Sequence, residues 1–557
     1  MRIGLVCIVG LAAATASAQT PTHKHYEKSE EADKPAPTGE LAPRLQNLGK
    51  LTFAVTTKSK QAQLFINQGV NLAYGFNHAE AGRAFREAAR LDPNCGMAYW
   101  GQALVLGPNI NVPMTPDDEP KAYEASQNAV RLKSKATPRE QAYIDAVAQR
   151  YSGRAEDRAT RDRAYADAMG GVVKRFPNDL DAATMYAEAL MDLRPWNYWM
   201  RDGRPYAETT EIVATLEKVL ARKPDHPGAN HYYIHAMEAT KTPEKAEAAA
   251  DRLGTLMPGA GHMVHMPSHI YQRVGRYADA EAANEEAIKA DEDYIAQCRA
   301  QGLYPMAYYP HNIHFLWFAA SAEGRSQAAI ESARKVAAKV SDETLDQLPL
   351  LAGFRVVPWY ALTRFGKWNE MLAEPAPADR FLYLNGTWHY ARGLAFLGKG
   401  QPDEAEKELA ALRRIAADPA LNYTLFSPNM AAAILSAAPE VLAGELAARR
   451  QDYDAAVAHI ERAVRLEDGL VYTEPSEWHY PPRQALGAVL LAAGRANEAE
   501  TVYWEDLRRN PENGWSLFGL AQALRAQPGR VNEAAAAQAR FDKAWTRADV
   551  TLTGSRF

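Results

Sequence analysis

The chain has 557 residues, 63 lysines and arginines against 68 aspartates and glutamates, and a formal net charge of -5. No basic block interrupts this balance, which disfavours nucleic acid and acidic lipid as partners. No stretch reaches the roughly 18 apolar residues that a membrane span needs.

Residues 1–18 predict a signal peptide. Arg2 gives a positive start, an apolar run extends from Ile3 to about Ala14, and Ala16-Ser17-Ala18 is a small-x-small cleavage site. The mature chain then begins at Gln19, and a periplasmic or secreted location follows. Residues 19–48 are charged and proline-rich and predict a disordered leader. Of the three cysteines, Cys7 falls in the apolar run. Cys95 and Cys298 lie too far apart in an elongated array to pair. Neither a disulfide framework nor a cysteine-based zinc site is available.

From 49 to 550 the pattern predicts one all-α superhelix. Between Gln63 and Pro93, Gly69 and Leu72 lie on a first helix, Ala81, Phe85 and Ala88 on a second, and Pro93 ends it. Small residues mark close helix contact, and larger apolar ones at helical spacing fill between. The pattern resembles the tetratricopeptide repeat. It recurs 34 residues apart in Pro224/Pro258 and Ala246/Ala280. Turns such as Gly275-Arg-Tyr-Ala-Asp-Ala, and those beginning at Gly324, Gly398 and Gly494, repeat it further. Weaker units fit near 96–135, 137–178, 180–225, 352–378, 437–470 and 514–547. The resemblance implies a right-handed α-solenoid of about 11–12 helix pairs, its concave groove lined by the first helix of each pair. More narrowly, Ala73-Tyr-Gly-Phe-Asn-His-Ala-Glu-Ala, Ala98-Tyr-Trp-Gly-Gln-Ala, His231-Tyr-Tyr-Ile-His-Ala and Gly261-His-Met-Val-His-Met-Pro-Ser-His resemble a family of exported bacterial tetratricopeptide-repeat proteins. That resemblance supplies a fold and no chemistry.

Four inserts rich in proline and aromatics break the period: 107–116, 193–205, 301–310 and 473–483. Such loops can roof part of a groove, or simply pack.

Segment 226–320 carries the functional signal. His231 and His235 return 34 residues later as His265 and His269, and His311 and His314 open the next unit. Residues four apart share a helix face, and packed helices lie about 8–10 Å apart, so such imidazoles can reach one ion at about 2.0–2.1 Å. These six are the predicted metal ligands. His262, Glu238, His389 and His479 are predicted to support them, Glu238 by orienting an imidazole or binding directly. His389 and His479 qualify only if later repeats curl toward the groove. Pro267 between His265 and His269 predicts a helix start there, which takes His265 out of ideal spacing.

Six or seven imidazoles exceed one four-coordinate site, so two metals, or one metal with acid–base histidines, are expected. Imidazole suits copper, zinc and iron; Met263 and Met266, with export, tilt the choice toward copper. No phosphate loop, G-x-S-x-G elbow, H-E-x-x-H helix or D-x-D-x-D-G calcium loop occurs. The sequence thus predicts a metalloprotein with a small molecule or peptide in its groove, as an oxidoreductase, a hydrolase or a metal carrier without turnover. The alternative is a periplasmic scaffold that binds partner proteins in that groove.

Overall fold

A computed structural model describes residues 39–154, 157–298, 304–425 and 428–557. The predicted signal peptide and most of the predicted leader lie outside them. The described residues form twelve consecutive helix pairs, and no strand beyond isolated bridges. The chain is a tetratricopeptide-like α-solenoid.

The first seven pairs carry the site. They are α1 (Lys60–Tyr74) with α2 (His78–Leu91), α3 (Gly96–Leu106) with α4 (Glu119–Leu132), and α5 (Pro138–Gln149) with α6 (Arg158–Arg175). Then come α7 (Leu180–Met191) with α8 (Ala207–Arg222), and α9 (Pro227–Met237) with α10 (Glu247–Leu256). In the sixth pair the first helix is written as α11 (Gly261–His265) and α12 (Pro267–Val274), against α13 (Tyr277–Cys298). The seventh joins α14 (Tyr309–Ala322) to α15 (Ser326–Ala337). Five more pairs follow, ending with Gly514–Arg525 and Val531–Ala544.

Local chemistry explains the pairing. Side chains of Ser59, Asn77 and Asp179 cap helix starts, and Thr137 with Glu140 forms a capping box. Gly275, Gly324, Gly400 and Gly494 take φ of 73–80° in the inter-helix turns, a region that Cβ-bearing residues avoid. Small residues admit large neighbours. A Cβ on Gly69 would lie 2.7 Å from the Phe85 ring, and one on Gly101 2.3 Å from it, so Phe85 is wedged between two helices. Phe85→Ala empties that wedge; we expect a loss of about 3–5 kcal/mol, read as a lower urea midpoint. An unchanged midpoint would show that the wedge carries no load.

Residues 41–48, read from sequence as the end of a leader, pack on the first pair. Leu41 N–H donates to Glu87, Leu45 N–H donates to Gln68, and Ala42 and Leu48 are buried. Apolar side chains at 41, 42, 45 and 48 give this short stretch an inner face that composition alone hides.

Two apolar cores run along the solenoid, one built from residues 42–319 and one from 288–552. The histidine-rich segment lies where they meet. Later repeats also fold back on earlier ones: Trp515 Nε1 donates to Ser321 O at 2.9 Å, Arg201 donates to Gly469 O, and the Asp549 carboxylate accepts Ser326 N–H at 2.7 Å. Among the described residues one helical stretch, Ala431–Arg449, is long and apolar enough to cross a membrane by length and composition, against the expectation from sequence; 67% of its apolar 18-residue window is buried among its neighbours.

Candidate metal centre

Each histidine reaches the buried cluster by an identifiable local device. The His226 imidazole caps α9 by accepting Ala229 N–H, and Pro227 occupies the first helical position. His231 and His235 then fall one turn apart on one face, with ring centroids 4.8 Å apart. In the next repeat Pro267 begins α12, yet Met266 before it keeps right-handed helical torsions (φ -52°, ψ -33°) and its N–H bonds to His262 O. The chain therefore continues as a helix through the junction. His265 and His269 keep their four-residue spacing, with rings 4.7 Å apart, and the expected distortion does not occur. His311, near the start of α14, brings its ring within 4.8 Å of His265 and 5.8 Å of His269.

Among the described residues, three sets of side chains place their ligand atoms within 4.8 Å of one another: His231/His235/His262, His265/His269/His311, and His235/Glu238/His269. Five predicted ligands therefore converge. His262, expected only as a supporting residue, joins the first set: its Nε2 is 3.1 Å from His231 Nε2. His314 does not join any. Its ring stacks on Trp317 (5.1 Å) and meets Phe354 edge-on. His389 binds Glu408 at 2.5 Å, and His479 stacks on Tyr360 with its Nε2 3.2 Å from Tyr390 OH. Both lie on later repeats, outside the three sets.

The tautomers follow from the outer partners. His231 Nδ1–H donates to Tyr74 O at 2.6 Å, and His235 Nδ1–H to Glu238 Oε1 at 2.8 Å. His265 Nδ1–H donates to Asn284 Oδ1 at 2.6 Å, and the Asn284 amide is fixed because its own N–H₂ donates to Ala280 O. His269 Nδ1–H donates to the second oxygen of Glu238. With Nδ1 protonated and turned outward, Nε2 presents a bare lone pair inward. This is how ligand histidines are held at metal sites, where the outer partner sets the tautomer and raises basicity. His265 Nε2 and His269 Nε2 face each other at 2.8 Å. Two lone pairs at that distance repel unless a cation or a proton lies between them. Two nitrogens bound tetrahedrally to one ion at 2.0–2.1 Å would be about 3.3 Å apart, so the contact is near what a shared ion imposes. His235 Nε2 has no partner at all.

Burial pushes every imidazole of the cluster downward. His235 and His265 fall to about 3, and His231, His262, His269 and His311 lie well below the ordinary value, with neighbouring imidazoles adding to the burial effect. A group lowered from 6.5 stays neutral as pH falls through 6.5. Nitrogen-15 spectra of metal-stripped protein should therefore show uncharged rings at pH 5.5, with Nδ1–H tautomers for His231, His235, His265 and His269. Imidazolium signals there would contradict this arrangement. Burial also raises the Glu238 carboxyl, and Arg273 beside it opposes that rise. The Arg273 guanidinium donates to Glu238 O at 2.5 Å and Thr240 O at 3.1 Å.

Sequence reasoning did not single out Glu474. It arrives from the fourth insert, with Oε1 3.6 Å from His269 Nδ1 and a buried Oε2 that has no partner. Burial raises its carboxyl, and Glu238 adds to this. No local motif signals it; only the folding-back of late repeats places it here.

Inserts and one inter-helix turn wall the hollow. Trp196 of the second insert meets His235 edge-on at 5.2 Å, and Tyr308 of the third meets His262 at 4.8 Å. Asn111 of the first insert donates to Tyr308 OH at 3.1 Å. The turn between α1 and α2 contributes Phe76, 4.6 Å from His231, while α14 contributes Phe315, 4.7 Å from His265. Phe76 and Trp196 hold φ of 55° and 63°, a left-handed conformation that costs bulky residues of order 1–3 kcal/mol. Both strained residues put their rings against the imidazoles.

No family model and no curated protein matches this chain. Among solved structures it is similar to the Cut9–Hcn1 hetero-tetramer of the APC/C, with 15% identity, a TM-score of 0.30, and coverage of 84% of this chain and 78% of that one. It is also similar to human IFIT1 dimers, one with m7Gppp-AAAA (12% identity, TM-score 0.30, 88% and 91% covered) and one with PPP-AAAA (10%, 0.32, 88% and 92%). At such scores the likeness decides nothing about what this chain binds.

Proposed function

We propose that the protein is a histidine-bound transition-metal protein acting outside the cytoplasm, with its metal in the groove where the two cores meet. The observation that carries this reading is the 2.8 Å approach of two bare nitrogens, His265 Nε2 and His269 Nε2, each held by its own outer partner. Copper is the first choice. Nitrogen sites bind Cu(II) most tightly of the common divalent series, and no thiolate lies in the three ligand sets. Zinc and iron remain compatible with the same donors. The chemistry we assign is an oxidoreductase or a hydrolase: a bound ion polarises or activates a small molecule, and neighbouring imidazoles move protons. A peptide-binding scaffold would need an open groove at these repeats. Instead Trp196 and Tyr308 of the protein's own inserts lie directly against the histidines there.

Protein purified without an affinity tag should carry at least one tightly held transition-metal atom per chain by elemental analysis. The His231→Ala/His265→Ala double variant should lose it while keeping its helical circular dichroism. A folded double variant with unchanged metal content would refute the assignment.

A further inference from the structure

The two histidine sets share no residue: His231, His235 and His262 form one, and His265, His269 and His311 the other. They adjoin face to face, with His235 5.5 Å from His269 and His262 6.0 Å from His265 by ring centroid. Each set offers three imidazoles. An ion held by three protein ligands keeps a fourth position for a non-protein ligand. Among the described residues, neither histidine trio includes a carboxylate or a thiolate. Phe76 stacks on His235, and Trp196 and Phe315 meet His235 and His265 at steep ring angles. Glu238 meets His235 and His269 from the opposite, Nδ1 side.

We propose that the hollow is a two-ion centre whose ions share one small exogenous ligand, a hydroxide or a diatomic such as dioxygen, bridging the two trios. This rests on the metal reading above and adds to it the stoichiometry and the ligand class. Two ions at about 3.5–4 Å are the usual separation for a shared oxygen ligand.

The test loads the full-length mature protein with Cu(II) alone and compares copper content with integrated electron paramagnetic resonance. Two Cu(II) ions coupled through a one- or two-atom bridge cancel each other's spin. The expected result is two copper atoms per chain, with a spin signal at least tenfold below the copper content, and a new charge-transfer band on adding azide. His235→Ala and His311→Ala, each disarming one trio, should retain one copper with full spin. Two copper atoms with full spin in the unaltered protein would overturn the bridge and leave metal binding standing. So would an absence of any azide response. Less than one copper per chain would instead overturn the metal reading itself. The unaltered protein's spin count decides the matter even if a variant fails to fold.

Discussion

Glu238→Ala is expected to empty both histidine sets at once. One carboxylate accepts the Nδ1–H of His235 from the first trio and of His269 from the second. Removing it frees two rings, lets each rotate, and allows the proton to move to Nε2, where it blocks the ligand lone pair. Losing one such outer partner typically costs 10–100-fold in metal affinity. Losing both should cost each set about that factor, and metal content after gel filtration should fall from the wild-type level to near zero. Glu238→Gln gives a sharper version. Its amide oxygen can accept from one imidazole, while its amide nitrogen cannot accept from the other. We expect it to keep one ion and lose the second, by elemental analysis. Equal metal retention in wild type, Glu238→Gln and Glu238→Ala would show that Glu238 plays no part in binding.

The second large effect concerns stability without metal. The stripped hollow contains a buried 2.8 Å contact between two imidazole nitrogens, unpartnered His235 Nε2 and Glu474 Oε2, and two buried carboxyls, Glu238 and Glu474, whose desolvation the Arg273 charge opposes from nearby. Unsatisfied buried polar groups cost about 1–3 kcal/mol each. A bound ion satisfies the nitrogens and supplies positive charge beside the carboxyls. A ligand at 100 times its Kd contributes about 2.7 kcal/mol per site. Chelation should therefore lower the thermal midpoint, and restoring Cu(II) should recover it. The same treatment of the His231→Ala/His265→Ala variant should move its midpoint little. A wild-type midpoint indifferent to chelation, with metal loss verified, would contradict a structural debt at the site.

Much of this was legible in the sequence because the repeat length is itself a physical distance. Residues 34 apart occupy equivalent places on stacked pairs, so His231/His235 and His265/His269 could be aligned by arithmetic alone. The same arithmetic missed His262. Its equivalent one repeat earlier is Gly228, which has no side chain because the Tyr74 ring occupies that space; a Cβ there would lie 2.4 Å from it. His314 was grouped with His311 by spacing, but three residues turn a helix by about 300°, enough here to send its ring to Trp317. Pro267 predicted a helix start that would leave His265 just outside; Met266 instead keeps helical torsions despite the steric bias against them before proline, so the helix runs through. Glu474, more than 200 residues from His269 in sequence, was beyond any local pattern. Its position depends on the curl that returns the fourth insert to the earlier repeats.

X-ray absorption at the copper edge, on the mature protein loaded with Cu(II), tests the central assignment most directly. Predicted is a first shell of nitrogen at about 2.0 Å with the outer-ring scattering of about three imidazoles per copper. That scattering should vanish in the His231→Ala/His265→Ala variant. A shell of mostly oxygen without imidazole features, or one identical in wild type and variant, would contradict metal binding in this hollow.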